Sequence, residues 1–126
     1  MTNRILDHLT NDEVVERYTQ LSLKQFDALY EEEEGGARDY NRLYWAIHAI
    51  ADVLRARGIE ARRTLIPLLT HENAQVSLNA ANELLAVAPR EAYATMARLA
   101  ESAPGPQRLR ARMDLRFLAQ GICPPT

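Results

Sequence analysis

The sequence has a single cysteine, Cys123. No disulfide can close within the chain, and a reducing compartment, the cytoplasm, is expected. Cys123 stands between Ile122 and Pro124, where the expectation is an unreactive thiol in a frayed tail. Lysine is almost absent: Lys24 stands alone beside fourteen arginines. Arginine is weakly hydrated and forks onto carboxylates, which suits ion-paired helix surfaces and protein interfaces. No apolar run approaches the length of a bilayer span, and Met1–His8 lacks the apolar stretch of a leader, so no membrane partner is expected. There is no excess of positive charge either. The formal net charge is −2, whereas a chain that wraps nucleic acid is usually strongly basic. Strand alternation is missing throughout.

What is present is a helical pattern over 126 residues, the size of one domain, with residues 1–10 as a loose segment and 122–126 as a tail. Charge is unevenly spread. Residues 1–36 hold nine acids and three bases, a balance of −6; residues 37–126 hold eight acids and twelve bases, a balance of +4. Thr10 to Glu13 reads as a capping box that opens a first helix running to about residue 32. Val14, Val15, Tyr18, Leu21, Ser22, Phe26 and Leu29 form its inward stripe. The acidic run Glu31–Glu34 and Gly35-Gly36 read as a solvated loop.

A second helix is predicted over 37–57, with Tyr40, Leu43, Tyr44, Ile47, Ile50, Ala51 and Leu54 inside and Gly58 as its stop. A third covers about 60–69, with Arg62 and Arg63 outside and Pro67 bending it. A fourth covers 73–88, capped by Asn73, with an apolar arc wide enough to need cover on two sides. A fifth, 90–102, follows Pro89 and buries Ala92, Tyr93, Met96, Leu99 and Ala100. A sixth, 106–120, closes at Gly121 and has two apolar strips, Leu109/Met113/Phe117 and Ala111/Leu115/Leu118. The expected fold class is therefore all-α, a short right-handed stack of about six antiparallel hairpin helices.

Leu65 to Leu69, a short turn, then Val76 to Ala81 with Leu84-Leu85 resembles a HEAT-type helical pair, with Ser77 where such pairs usually carry arginine. A shift of 33 residues sets Val76 on Leu109, Leu78 on Ala111, Ala80 on Met113, Leu84 on Phe117 and Leu85 on Leu118, with Ala81 mismatched on Asp114. Five segments carry a wider likeness: Val15-Glu16-Arg17-Tyr18, Tyr40 to Tyr44, Ala61 to Leu65, Leu78 to Ala81 and Ala86 to Pro89. From about Asp12 to Ile122 the chain resembles a family of short bacterial proteins known as a domain of unknown function, serial number twenty-nineteen. The resemblance implies an all-helical, HEAT-like, cytoplasmic protein; it brings no activity and no site residue.

Chemistry is thinly represented. His8, His48 and His71 form no pair at ligand spacing, so no metal is expected. Ser22, Ser77, Ser102 and Cys123 lack any nucleophile motif, and Gly35-Gly36 follows acids that would repel phosphate, so neither an enzyme nor a cofactor is expected. Three faces stand out as candidate partner sites. Asn41, Trp45, His48 and Asp52 align on the back of the second helix. If that helix is covered on both sides, Trp45 packs in the core with His48 bonded to Asp52; if not, the group is a binding hot spot. Gln75, Asn79, Asn82 and Glu83 form the polar arc of the fourth helix, open to a partner or satisfied by a neighbouring element. Arg108, Arg112 and Arg116 stripe the sixth, beside apolar residues. The first reading is a non-catalytic module, monomer or homodimer, that binds a protein through one helical face. The alternatives are a nucleic-acid-binding or -processing domain using the late arginines, and a small-ligand sensor with a pocket at Trp45 and Tyr44.

Overall fold

The computed structural model describes residues 6–31, 35–121 and 125–126. Cys123 and Glu32 to Glu34 lie outside the described residues. The elements are α1 (Asn11–Leu29), α2 (Gly35–Arg57), α3 (Ile59–Arg62), a 3-10 helix (Arg63–Thr70), α4 (Ala74–Leu84), α5 (Pro89–Ser102) and α6 (Gly105–Ala119). No strand occurs among the described residues, and the fold is all-α as expected. The fold groups the residues into two compact units, Met1–Thr64 and Leu65–Thr126.

In the first unit α1 and α2 pack against each other as a hairpin. Val14, Tyr18 and Ala28 of α1 are buried, as are Leu43, Ile47, Ile50, Ala51, Val53 and Leu54 of α2. Tyr40 and Tyr44, the outer members of the predicted stripe, are half-buried. The capping box is formed: the Thr10 amide donates to Glu13 Oε1 (2.9 Å), and the Glu13 amide donates to Thr10 Oγ1 (3.1 Å). Arg57 does more than oppose the dipole at the end of α2. It donates to Asn11 Oδ1 (2.9 Å) and to the carbonyls of Leu6 (3.1 Å) and Asp7 (3.4 Å), fastening the turn at residues 6–9 to α1.

Gly35 and Gly36 belong to α2 and do not break the chain as the sequence implied. A Cβ at Gly36 would stand 2.9 Å from the Ala28 carbonyl oxygen and 2.9 Å from Glu31 Cβ. Glycine is needed there because the start of α2 crosses the end of α1 at backbone contact distance.

Thr10 holds the Glu13 carboxyl below the ordinary carboxylate value, first through its amide and then through its hydroxyl, with Arg17 and His8 adding a smaller attraction against a small desolvation cost. The folded value is the lower one. The resulting stabilisation is complete above the unfolded value and is lost as pH falls through the folded one. Glu13→Gln should flatten the acid side of a plot of melting temperature against pH, and an unchanged acid side would show that the box carries no such linkage.

In the second unit α4 packs on α5, α5 on α6, and α4 touches α6. Leu78, Leu99, Ala103 and Ala111 form a buried cluster where these helices meet. The third predicted helix is split into α3 and the 3-10 helix. Pro67 has no amide to donate and its ring would clash with an α-helical carbonyl four residues back, so the chain tightens instead. Arg62, expected outside, is buried, and Ile59 is exposed in its place. Tyr93, expected inside α5, is also exposed. Asn73 caps α4 as expected, its Oδ1 accepting from the amides of Gln75 and Val76. α4 ends at Leu84 rather than at 88. The ring of Pro89 excludes the helical region for Ala88, which sits at φ −147° and ψ 61°. The last residues close instead through the Val87 and Ala88 amides, both donating to the Leu84 carbonyl (3.1 and 2.8 Å).

Ser77 is fully buried, and its hydroxyl reaches the carbonyls of His71 (2.8 Å) and Leu68 (3.2 Å). Arg98 of α5 donates to the neighbouring Leu69 carbonyl (2.9 Å). Arg98 thus gives the Leu69 carbonyl at the end of the 3-10 helix a donor, while the Leu68 carbonyl also accepts from the His71 amide (3.0 Å).

Candidate functional site

The α2 face is on the surface. Trp45 is 70% exposed, and Asn41, His48 and Asp52 are exposed with it. Of the two alternatives open for Trp45, core or outward face, the structure has the outward face. α2 is covered only along the Leu43/Ile47/Leu54 side, and Trp45 projects from the other. No hydrogen bond joins His48 to Asp52 among the described residues. The His48 ring instead sits against Tyr44, centroid to centroid 4.4 Å in an edge-on arrangement, and Trp45 meets the edge of Tyr44 at 5.1 Å. Trp45 and His48 are 6.1 Å apart. Tyr44, half-buried, roots two more exposed rings, and edge-on aromatic pairs favour this geometry over free rotation. Asn41 and Asp52 bracket the rings along the helix.

The polar arc of α4 points elsewhere. Gln75 and Glu83 are buried, so this arc is no outward row. Gln75 Oε1 accepts from Gln107 Nε2 of α6 (3.1 Å), and Gln75 Nε2 donates to Asn79 Oδ1 (3.0 Å). Asn82 Nδ2 donates to Asp114 Oδ2 (2.9 Å), whose other oxygen takes Arg110 Nε (3.0 Å). Two of the four residues picked out from sequence, Gln75 and Asn82, thus join α4 to α6, and Asn79 braces Gln75 from within α4. Gln107 and Asp114 escaped the sequence reading because each lies 32 residues from its partner, beyond any local periodicity.

On α6, Arg108, Arg112 and Arg116 are exposed. Arg112 Nε donates to the Ala100 carbonyl at the end of α5 (2.8 Å). Leu109 and Met113, one of the two apolar strips, are exposed beside them at 61% and 42%. The 33-residue correspondence sets Leu78 on Ala111, both buried, but parts for two of its other pairs. Val76 and Ala80 are fully buried, while Leu109 and Met113 face solvent, because α6 is packed on one side only.

The profile of the family described as Domain of unknown function (DUF2019) matches residues 12–119. The chain belongs to this family. The DUF2019 chain is also similar to the crystal structure of the protein RPA1889 from Rhodopseudomonas palustris CGA009, at 33% identity and a TM-score of 0.88, covering 96% of this chain and 98% of that one. No curated protein matches the sequence. Among the described residues of this DUF2019 protein, no three His, Cys, Asp or Glu side chains gather as metal ligands do. No helix there is long and apolar enough to cross a membrane.

Proposed function

We propose that this DUF2019 protein is a non-catalytic, HEAT-like interaction module of the cytoplasm that binds a protein partner through the outward face of α2. The observation that carries this reading is Trp45, an indole 70% exposed and seated on Tyr44 and His48. A large ring held out in water gains by burial, and tryptophan is enriched where truncation costs an interface most. Asn41 and Asp52 supply hydrogen-bonding groups at either end of the rings, the polar rim that such an anchor needs. The lone cysteine fits a reducing compartment. Because Trp45 is exposed, it does not form the wall of a closed apolar pocket, which a small-ligand sensor would need.

The test is affinity capture from the native host, followed by calorimetry with the purified partner. Trp45→Ala should weaken binding by about thirtyfold or more, the mark of a hot spot of about 2 kcal/mol, with an unchanged thermal melt. Equal binding by Trp45→Ala would remove the α2 face from the interface.

A further inference from the structure

We propose that the outward face of α6 is a second docking surface, and that its occupant is an acidic amphipathic helix of a partner protein. This inference is independent of the α2 reading. At about 100° per residue, the packed residues Gln107, Ala111, Asp114 and Leu118 centre on one side of α6, and Leu109 lies about 170° from that centre. Met113 follows one turn later. The helix therefore presents two large apolar side chains directly to solvent. Arg108, Arg112 and Arg116 run along the flank of this strip, and Arg116 projects nearly in line with Leu109.

Charge selects the occupant. α6 carries four arginines and one acid, and that acid, Asp114, is buried and already bonded to Arg110 and Asn82. The side chains of Arg108 and Arg116 make no hydrogen bond or ion pair among the described residues. A partner must supply apolar side chains for Leu109 and Met113 and carboxylates for the arginine flank, one helical turn apart in each row. An amphipathic helix with an acidic border does both.

A second α6 laid against the first would set the Arg108/Arg112/Arg116 flank against its own copy, where like charges repel. The acidic start of α1 from another copy offers Asp12, Glu13 and Glu16, but Val14 and Tyr18 beside them are buried in its own unit and leave the α6 strip uncovered. Phosphates would satisfy the arginines and leave Leu109 and Met113 wet.

The probe is a synthetic fluorescein-labelled peptide with leucine at heptad a and d positions and glutamate, glutamine and alanine elsewhere. Fluorescence anisotropy with the full chain should show binding that weakens as salt rises. Replacing its glutamates by lysine, or its leucines by serine, should abolish binding. Leu109→Asp should lower affinity at least about tenfold, and so should the double variant Arg108→Glu/Arg116→Glu, each with an unchanged melt. Trp45→Ala should leave peptide binding untouched, which separates this surface from the one on α2. The proposal is overturned by no binding at low salt, by equal binding of either control peptide, or by indifference to both α6 variants. Sedimentation showing a dimer that Leu109→Asp dissolves would assign the face to a second copy instead. Displacement of the peptide by random duplex DNA would assign it to nucleic acid.

Discussion

Ser77→Arg is expected to lower the stability of the chain by about 3–5 kcal/mol or more, enough to move it well toward unfolding when small domains have only about 5–15. Ser77 has no exposed surface. Its hydroxyl lies within hydrogen-bonding distance of two carbonyls, those of His71 and Leu68, which leaves space for neither a longer side chain nor the water that a guanidinium would bring. Arginine at this place would combine overpacking with a charge brought into the interior. Ser77→Ala removes only the hydroxyl and should cost about 1 kcal/mol, the usual result of losing one intramolecular hydrogen bond. Urea titration followed by circular dichroism measures both. The contrast bears on the HEAT-type pattern, which usually places arginine here. In this chain Arg98 of α5 brings a guanidinium to the adjacent Leu69 carbonyl from another helix. An unchanged urea midpoint for Ser77→Arg would show that the position accepts the usual residue after all.

Leu54→Ala should cost about 2–5 kcal/mol. Leu54 is on the same helix as Trp45 and is completely buried, on the side of α2 that also buries Leu43, Ile47 and Ile50. Removing its isobutyl group loses transfer energy and leaves a void that the α1/α2 hairpin can close only in part. Trp45→Ala deletes a larger side chain nine residues earlier and should shift the melt hardly at all. The two variants measured side by side divide α2 into a face that holds the fold and a face that does not. Equal losses would mean that Trp45 contributes to packing, and the proposed α2 interface would lose its basis.

Much of this was legible in the residues. The capping box at Thr10 and Glu13, the Asn73 cap and the proline opening α5 are local chemistry, decided within a turn, and they stand where the spacing put them. The apolar stripe of α2 was equally readable because its period repeats over about four turns. What the sequence hid depended on cover. Nothing in the spacing of Asn41, Trp45, His48 and Asp52 states how many neighbours α2 has, so an inner helix and a one-sided helix read alike. The two apolar strips of α6 were a signal of the right kind, since strips on opposite sides cannot both meet one core. Gly36 misled for a different reason. Glycine after a run of acids looks like a chain break, whereas its missing side chain serves a close helix crossing. Gln75 paired with Gln107 was beyond reach because a polar residue gives no hint of which distant amide will satisfy it.

Trp45 is the one indole in the molecule and it already sits in water. Its emission should therefore be red-shifted and open to acrylamide quenching in the native state, and should change little when the chain denatures. The usual optical signature of unfolding will be nearly silent in this protein. The same fluorophore becomes a selective reporter of whatever closes over α2, since a blue shift in it cannot come from the interior.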